Sequence, residues 1–174
     1  YWGWPASAGR RVWRHFAGQA GNAGVQRKHQ TERTNVILSA HCAVLWGAPD
    51  STDTLCGIRG RLSPQSFYQV NRDMAERLYG KAAEFAGLTG QETVLDLYCG
   101  TGLFGLSMAR RIGRLYGAEI VPEAVEDARR NAAENGIENA EFFCGDAGDA
   151  SARLQTLGVH QEVVLIDPPR KGCG

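Results

Sequence analysis

Val94-Leu95-Asp96-Leu97-Tyr98-Cys99-Gly100-Thr101-Gly102 opens as an apolar, β-branched run and closes as a tight glycine loop. A helical pattern, Leu103 to Arg111, follows at once. Strand, glycine turn and helix in that order begin a nucleotide-binding α/β unit. Gly100 and Gly102 carry no Cβ and tolerate positive φ, so the backbone there can come close to a ligand. The spacing differs from G-x-G-x-x-G, so no pyrophosphate cradle is implied. A plain strand-to-helix turn of some other α/β protein stands as the alternative for this stretch taken alone.

The pattern repeats outward from this loop. On the C-terminal side, strand Leu115 to Ile120 leads to Pro122 at the first helical position and a helix ending at Gly136. Strand Ala140 to Cys144 leads to a helix from about Ala150 to Leu157, and strand Glu162 to Ile166 ends in Asp167-Pro168-Pro169-Arg170. Repeated β–α units with short loops predict a parallel sheet with right-handed crossovers. On the N-terminal side, the spacing predicts a helix from Arg72 to Ala86, with Asn71 as its N-cap and Gly87 as its C′ stop. Before Ser63-Pro64 lie short β-like runs at Asn35–Leu38, Ala43–Trp46 and Leu55–Leu62, the last weakened by Gly57 and Gly60.

Each of the four strands carries an acid toward its carboxyl end: Asp96, Glu119, Asp146 and Asp167. Ligands of open parallel sheets sit outside those ends. Glu119 follows the glycine loop at the distance where an acid meets both ribose hydroxyls, and its charge disfavours a 2′-phosphate. Asp146 is placed to meet an adenine edge. Asp96 is placed to anchor the loop or to meet the amino group of a bound amino acid. The competing reading is that such acids cap the next helix. Cys99 and Cys144 read as small buried thiols rather than nucleophiles.

Composition narrows the class. The chain has 174 residues, with 19 Lys and Arg balanced by 19 Asp and Glu, so no global basic field announces a nucleic-acid partner. No apolar run is long enough for a membrane span, and the start lacks the h-region of a signal peptide. The five cysteines are scattered without a C-x-x-C pair, so no metal is expected and reduced thiols in a cytoplasmic protein are. Residues 1–24 mix Gly, Ala, Arg and Trp without a period and are expected to be disordered. Their alternative use is RNA stacking by Trp2, Trp4 and Trp13 beside Arg10, Arg11 and Arg14. The expected organisation is this atypical 1–24 stretch, a small β segment over 25–62 left from a preceding domain, and an α/β unit over 63–174.

A narrower reading of residues 63–174, as a cofactor-binding domain that is incomplete at its C-terminal end, rests on resemblance. The acidic strand end followed by C-G-T-G resembles motif I of the S-adenosylmethionine methyltransferases. Asp167-Pro168-Pro169-Arg170 resembles the (D/N)-P-P-(Y/F/W) motif of amino-directed methyltransferases, but Arg170 stands where those enzymes carry an aromatic. More specifically, the chain is similar to the RNA uracil-5-methyltransferases, which make 5-methyluridine in tRNA or ribosomal RNA. The residues that carry the likeness are Phe67-Tyr68-Gln69-Val70-Asn71, D-L-Y-C-G-T-G, Glu119 through Ala128, Asn131 with Asn135-Gly136, and D-P-P-R-K-G, in that order.

The resemblance implies a Rossmann-like methyltransferase sheet, here with about four parallel strands, and S-adenosylmethionine as cofactor. It implies Gln69, Tyr98, Glu119 and Asp167 as cofactor contacts, with Asp146 near the adenine and Asp96, Gly100 and Gly102 forming the loop. Leu103 stands where some members carry Asn. It implies an RNA partner and a covalent mechanism, in which a cysteine thiolate adds to carbon 6 of uracil so that carbon 5 can take the methyl group. The family's nucleophile lies in an S-C-N-P motif and its base is a later glutamate, so both are expected beyond Gly174, and the chain alone is expected to be inactive. Cys173 does not match S-C-N-P. The rivals are an amino-directed enzyme of the D-P-P type and a non-catalytic fragment that binds cofactor or RNA.

Overall fold

A computed structural model describes residues 11–16, 23–28, 42–46, 50–63, 68–69, 71–168 and 172. Strands β1 (Arg11–Phe16), β2 (Ala23–Lys28) and β3 (Cys42–Trp46) form an antiparallel sheet in the order β1-β2-β3. Part of the stretch expected to be disordered is therefore strand. Val12, Trp13 and Phe16 supply the β-branched and aromatic content that favours an extended ribbon, although polar neighbours hide its period. The run Asn35–Leu38 and the residues Trp2, Trp4 and Arg10 lie outside the described residues.

Leu55–Leu62 is not a single strand. Strands β4 (Ser51–Leu55) and β5 (Ile58–Leu62) pair antiparallel around Cys56-Gly57. Both turn residues have positive φ, 50° and 77°, as a two-residue hairpin turn requires. Glycine adopts this readily. Cys56 is held there from outside, its N–H donating to Glu76 Oε1 at 3.1 Å.

Helix α1 (Arg72–Ala86) has the expected ends: Asn71 Oδ1 accepts from Met74 N–H, and Gly87 is left-handed at φ 61°. Then come β6 (Thr93–Leu97), α2 (Leu103–Met108) with a 3-10 turn at Ala109–Arg111, β7 (Arg114–Glu119), α3 (Pro122–Glu134), β8 (Ala140–Cys144), α4 (Ala147–Thr156) and β9 (Val163–Ile166). The four last strands form a parallel sheet in the order β8-β7-β6-β9. This is the Rossmann-like α/β fold that the β–α repeat predicts. Alternate residues go to opposite faces. Val94, Leu115 and Phe142 join α1–α3 and the hairpin residues Leu55, Ile58 and Leu62 in one core. Leu95, Tyr116 and Phe143 pack with Ala150 and Leu154 of α4 in the other.

The chain order reverses at β6: β7 and β8 are added on one side and β9 on the other. A crevice opens at such a switch point, beyond the carboxyl ends of the flanking strands. Among the described residues no helix is long and apolar enough to cross a membrane.

Candidate functional site

The loop after β6 and the end of β9 flank that crevice. Tyr98, Cys99, Gly100 and Thr101 line it from the loop, and Asp167 from the other side. Asp96, Gln69, Tyr68, Tyr79, Leu103 and Phe104 complete an open pocket. Tyr98 has φ 62°, a conformation that non-glycine residues adopt at a cost, and it sits on the pocket wall. Gly100 is also left-handed, and a Cβ built on it would meet nothing within 4 Å, so the backbone faces open space there. Gly102 turns the chain into α2 at φ 78°, and a Cβ on it would stand 3.0 Å from both Ala128 and Phe142.

The predicted acids take different parts. Asp96 is fully buried, and its Oδ2 accepts from Gly105 N–H at 2.9 Å. Burial is the main force that lifts its pKa from 3.8 to about 7; the Gly105 amide opposes the rise, and Asp167 and Glu119 reinforce it. Glu119 binds backbone at both oxygens: Oε2 accepts from Gly100 N–H at 3.0 Å and Oε1 from Val121 N–H at 3.0 Å. It therefore pins the glycine loop to the end of β7. A carboxylate has about four acceptor sites, so two remain for a diol. Asp146 is exposed and caps α4 in a reciprocal box: its Oδ1 accepts from Asp149 N–H, while its own N–H donates to Asp149 Oδ2. Here the capping reading accounts for the hydrogen bonds, and Asp146 lines no part of the pocket described above.

Sequence reasoning missed Tyr79 and Phe104. Their rings stack at 4.4 Å, and both line the pocket. At helical spacing they read as ordinary core positions, and only the crevice shows that one face is open. Burial, with Asp96 and Asp167 nearby, pushes the Tyr79 hydroxyl pKa above its usual range, so it stays a neutral donor. Cys99 is buried as expected, and burial beside Asp96 and Glu119 raises its thiol well above the ordinary value. Cys144 is not the core residue expected. It ends β8 where the sheet runs out, is exposed, and its Sγ donates to Ile120 O at 3.4 Å.

An acid-and-glycine loop at the switch point of a parallel sheet defines the class as a Rossmann-like α/β fold with a ligand crevice at its strand ends. Residues 88–167 match a family described as Methyltransferase domain. A protein of Halalkalibacterium halodurans named as an uncharacterized RNA methyltransferase is 48% identical over 142 residues, 82% of this chain and 31% of that one. One of Clostridium acetobutylicum, named likewise, is 43% identical over 153 residues, 88% of this chain and 33% of that one. The chain thus spans about a third of the length of these curated relatives. The crystal structure of the Pyrococcus abyssi tRNA (uracil-54, C5)-methyltransferase with S-adenosyl-L-homocysteine superposes with a TM-score of 0.67 and 23% identity, covering 87% of this chain and 44% of that one. TYW2 from M. jannaschii, solved with AdoMet, superposes at 0.51 and 19% identity over 64% of this chain and 50% of that one. At these identities the structural likeness is one of fold.

Proposed function

We propose that this chain is the cofactor-binding part of an S-adenosylmethionine-dependent RNA methyltransferase whose target is carbon 5 of a uridine. The observation that carries the reading is the crevice between β6 and β9, which joins Gly100 and Thr101 of the glycine loop, a buried Asp96 and Asp167 in one pocket. The methyltransferase-domain match supports S-adenosylmethionine as the cofactor. The relatives named as RNA methyltransferases support RNA as the substrate class. Carbon 5 of uridine is favoured by the ordered motifs from Phe67 to Gly172 and by Arg170 in place of an aromatic after D-P-P.

The residues present fit the cofactor. Glu119 has acceptor capacity left for a ribose diol while it holds Gly100. Asp167, joined by Asp96 where it ionises above about pH 7, sets a negative potential that suits a sulfonium and an ammonium group. Tyr98, Tyr79 and Phe104 offer aromatic surface at the same place, which attracts a cation by its ring faces. The cofactor, when bound, supplies the methyl group. Cys99 is assigned no covalent step, because its raised thiol pKa keeps the sulfur protonated and a protonated thiol is a poor nucleophile. The attacking thiol and the base that removes the carbon 5 proton are assigned to segments outside Tyr1–Gly174.

Calorimetric titration with S-adenosylhomocysteine tests the cofactor reading. Glu119→Ala is expected to weaken binding by about 1–3 kcal/mol, the scale for losing hydrogen bonds to a charged group. Unchanged affinity in that variant removes Glu119 from the site. The target is tested on a chain of the relatives' length, by hydrolysing methylated RNA and identifying the base. Product other than 5-methyluridine refutes the uridine assignment.

A further inference from the structure

The motif residues Asn131 and Asn135 take no part in the pocket, yet both have every polar side-chain atom engaged. They lie on one face of α3 with Asp127, and that face runs along the free edge of β5. Ser63 N–H donates to Asp127 Oδ2 at 2.9 Å, Arg61 N–H to Asn131 Oδ1 at 2.6 Å, and Arg59 N–H to Asn135 Oδ1 at 2.9 Å. The Nδ2 groups of Asn131 and Asn135 donate back to Arg61 O and Arg59 O at 3.3 and 2.8 Å. The register has a simple cause. Helix residues four apart rise about 6 Å, and strand residues two apart rise about 6.6 Å, so the two rows stay in step over three rungs. Side chains of a helix thus take the place of a second neighbouring strand, which β5 does not have among the described residues.

Asn131 does more than its neighbours. It is fully buried, and its Nδ2 also donates to Thr101 O at 3.0 Å, in the middle of the glycine loop. An amide is required, since one planar group must accept from Arg61 N–H and donate to two carbonyls. The hairpin makes two further contacts, one beside the loop and one to the pocket wall. Gly60 lies under Leu103, where a Cβ would come within 2.9 Å of both its methyl carbons. The pocket residue Tyr68 donates its hydroxyl to Asp53 Oδ2 at 2.7 Å.

We propose that Asn131 is a positioning residue of the pocket: it ties the Thr101 carbonyl to strand β5, so that docking of the β4–β5 hairpin on α3 holds the glycine loop in its ligand-binding shape. The proposal rests on the reading of this pocket as the cofactor site. Its consequence is that the hairpin belongs to the binding machinery, and that displacing it loosens the loop.

The test compares two variants of the whole chain. Asn131→Asp keeps the acceptor for Arg61 N–H and loses both donors. Asn135→Ala breaks a rung that has no contact with the loop. Hydrogen exchange of the 99–103 amides, without ligand, is expected to speed up at least tenfold in Asn131→Asp and to stay within about twofold in Asn135→Ala, since only the former leaves the buried Thr101 carbonyl unpaired. S-adenosylhomocysteine affinity is expected to fall about tenfold in the first and little in the second. Equal effects of the two variants on loop exchange would overturn the tie. Should Asn131→Asp not fold, the wild-type chain decides: Arg61 N–H and Gly102 N–H are expected to exchange through one shared opening with protection within about threefold of each other. Gly102 protection more than tenfold above that of Arg61 refutes the proposal. If the wild type binds no S-adenosylhomocysteine, the cofactor reading fails, while the exchange result still judges the tie.

Discussion

Asp96 combines complete burial with a single amide donor and two acidic neighbours, and this sets a direction for its pH behaviour. Its folded pKa of about 7 lies above the ordinary 3.8. Between those values the folded chain holds a proton that the unfolded chain has released, so stability falls as pH rises through the window and the full penalty is present above about pH 7. Asp96→Asn removes the ionisation and retains an oxygen for Gly105 N–H. Its melting temperature is expected to exceed that of the wild type near pH 8, with the gap shrinking toward about pH 5. A gap that is constant across that range would show that Asp96 ionisation does not control it. If the pocket is the cofactor site proposed above, the same variant is expected to bind S-adenosylhomocysteine more weakly near pH 8, because the Asp96 charge is gone from its lining. The identity of Asp96, Glu119 and Asp167 as strand-end acids was legible in sequence, because the repeated β–α pattern marks where each apolar strand run stops. The backbone hydrogen bonds of Glu119 were not, since they depend on how the loop curls back over β7.

At the scale of elements, legibility follows the range of the forces involved. Helix α1 was readable at both ends because Asn71 and Gly87 act within a few residues. The β4–β5 turn was not, because Cys56 has no intrinsic preference for positive φ and is held by Glu76, 20 residues away. The capping box of α4, Asp146 with Asp149, starts the helix at Ala147 rather than at about Ala150, where the sequence pattern places it, and it competes with a ligand role for the same carboxylate. The glycine loop is over-determined in another way. Gly102 needs positive φ for the turn and lacks space for a Cβ against Ala128 and Phe142. Gly102→Ala is expected to destabilise the fold by about 2 kcal/mol or more, as overpacking and a strained φ act together. Urea unfolding measures it, and a loss under about 0.5 kcal/mol would mean that the loop accommodates a side chain.

At the scale of the whole molecule, the edge of the parallel sheet at β9 is an open, apolar boundary among the described residues. Strand β9 pairs only with β6 and forms an edge of the parallel sheet among the described residues. Its Val164 and Ile166 are 43% and 52% exposed. On α1, Met74, Leu78 and Phe85 form a second exposed apolar stripe, with Phe85 79% exposed and covered only in part by Lys81, whose ammonium lies 5.0 Å from the ring centroid. A flat edge with unpaired N–H and C=O groups and apolar side chains is a template for pairing with another chain, and natural sheets usually blunt or cover such edges. Parallel strands buried on both faces read as continuous apolar runs, and the Val163-Val164-Leu165-Ile166 sequence has that character although one face is open here. The 174-residue chain is therefore expected to associate in solution through β9. Sedimentation at increasing concentration should show dimers or larger species. Val164→Lys combined with Ile166→Lys should shift the distribution toward monomer, because two like charges then line the edge. Met74→Lys should have a smaller effect, since α1 offers apolar surface but no unpaired backbone. A wild-type chain that stays monomeric at high concentration and melts sharply would refute the expectation, and equal rescue by Met74→Lys would move the contact from β9 to α1.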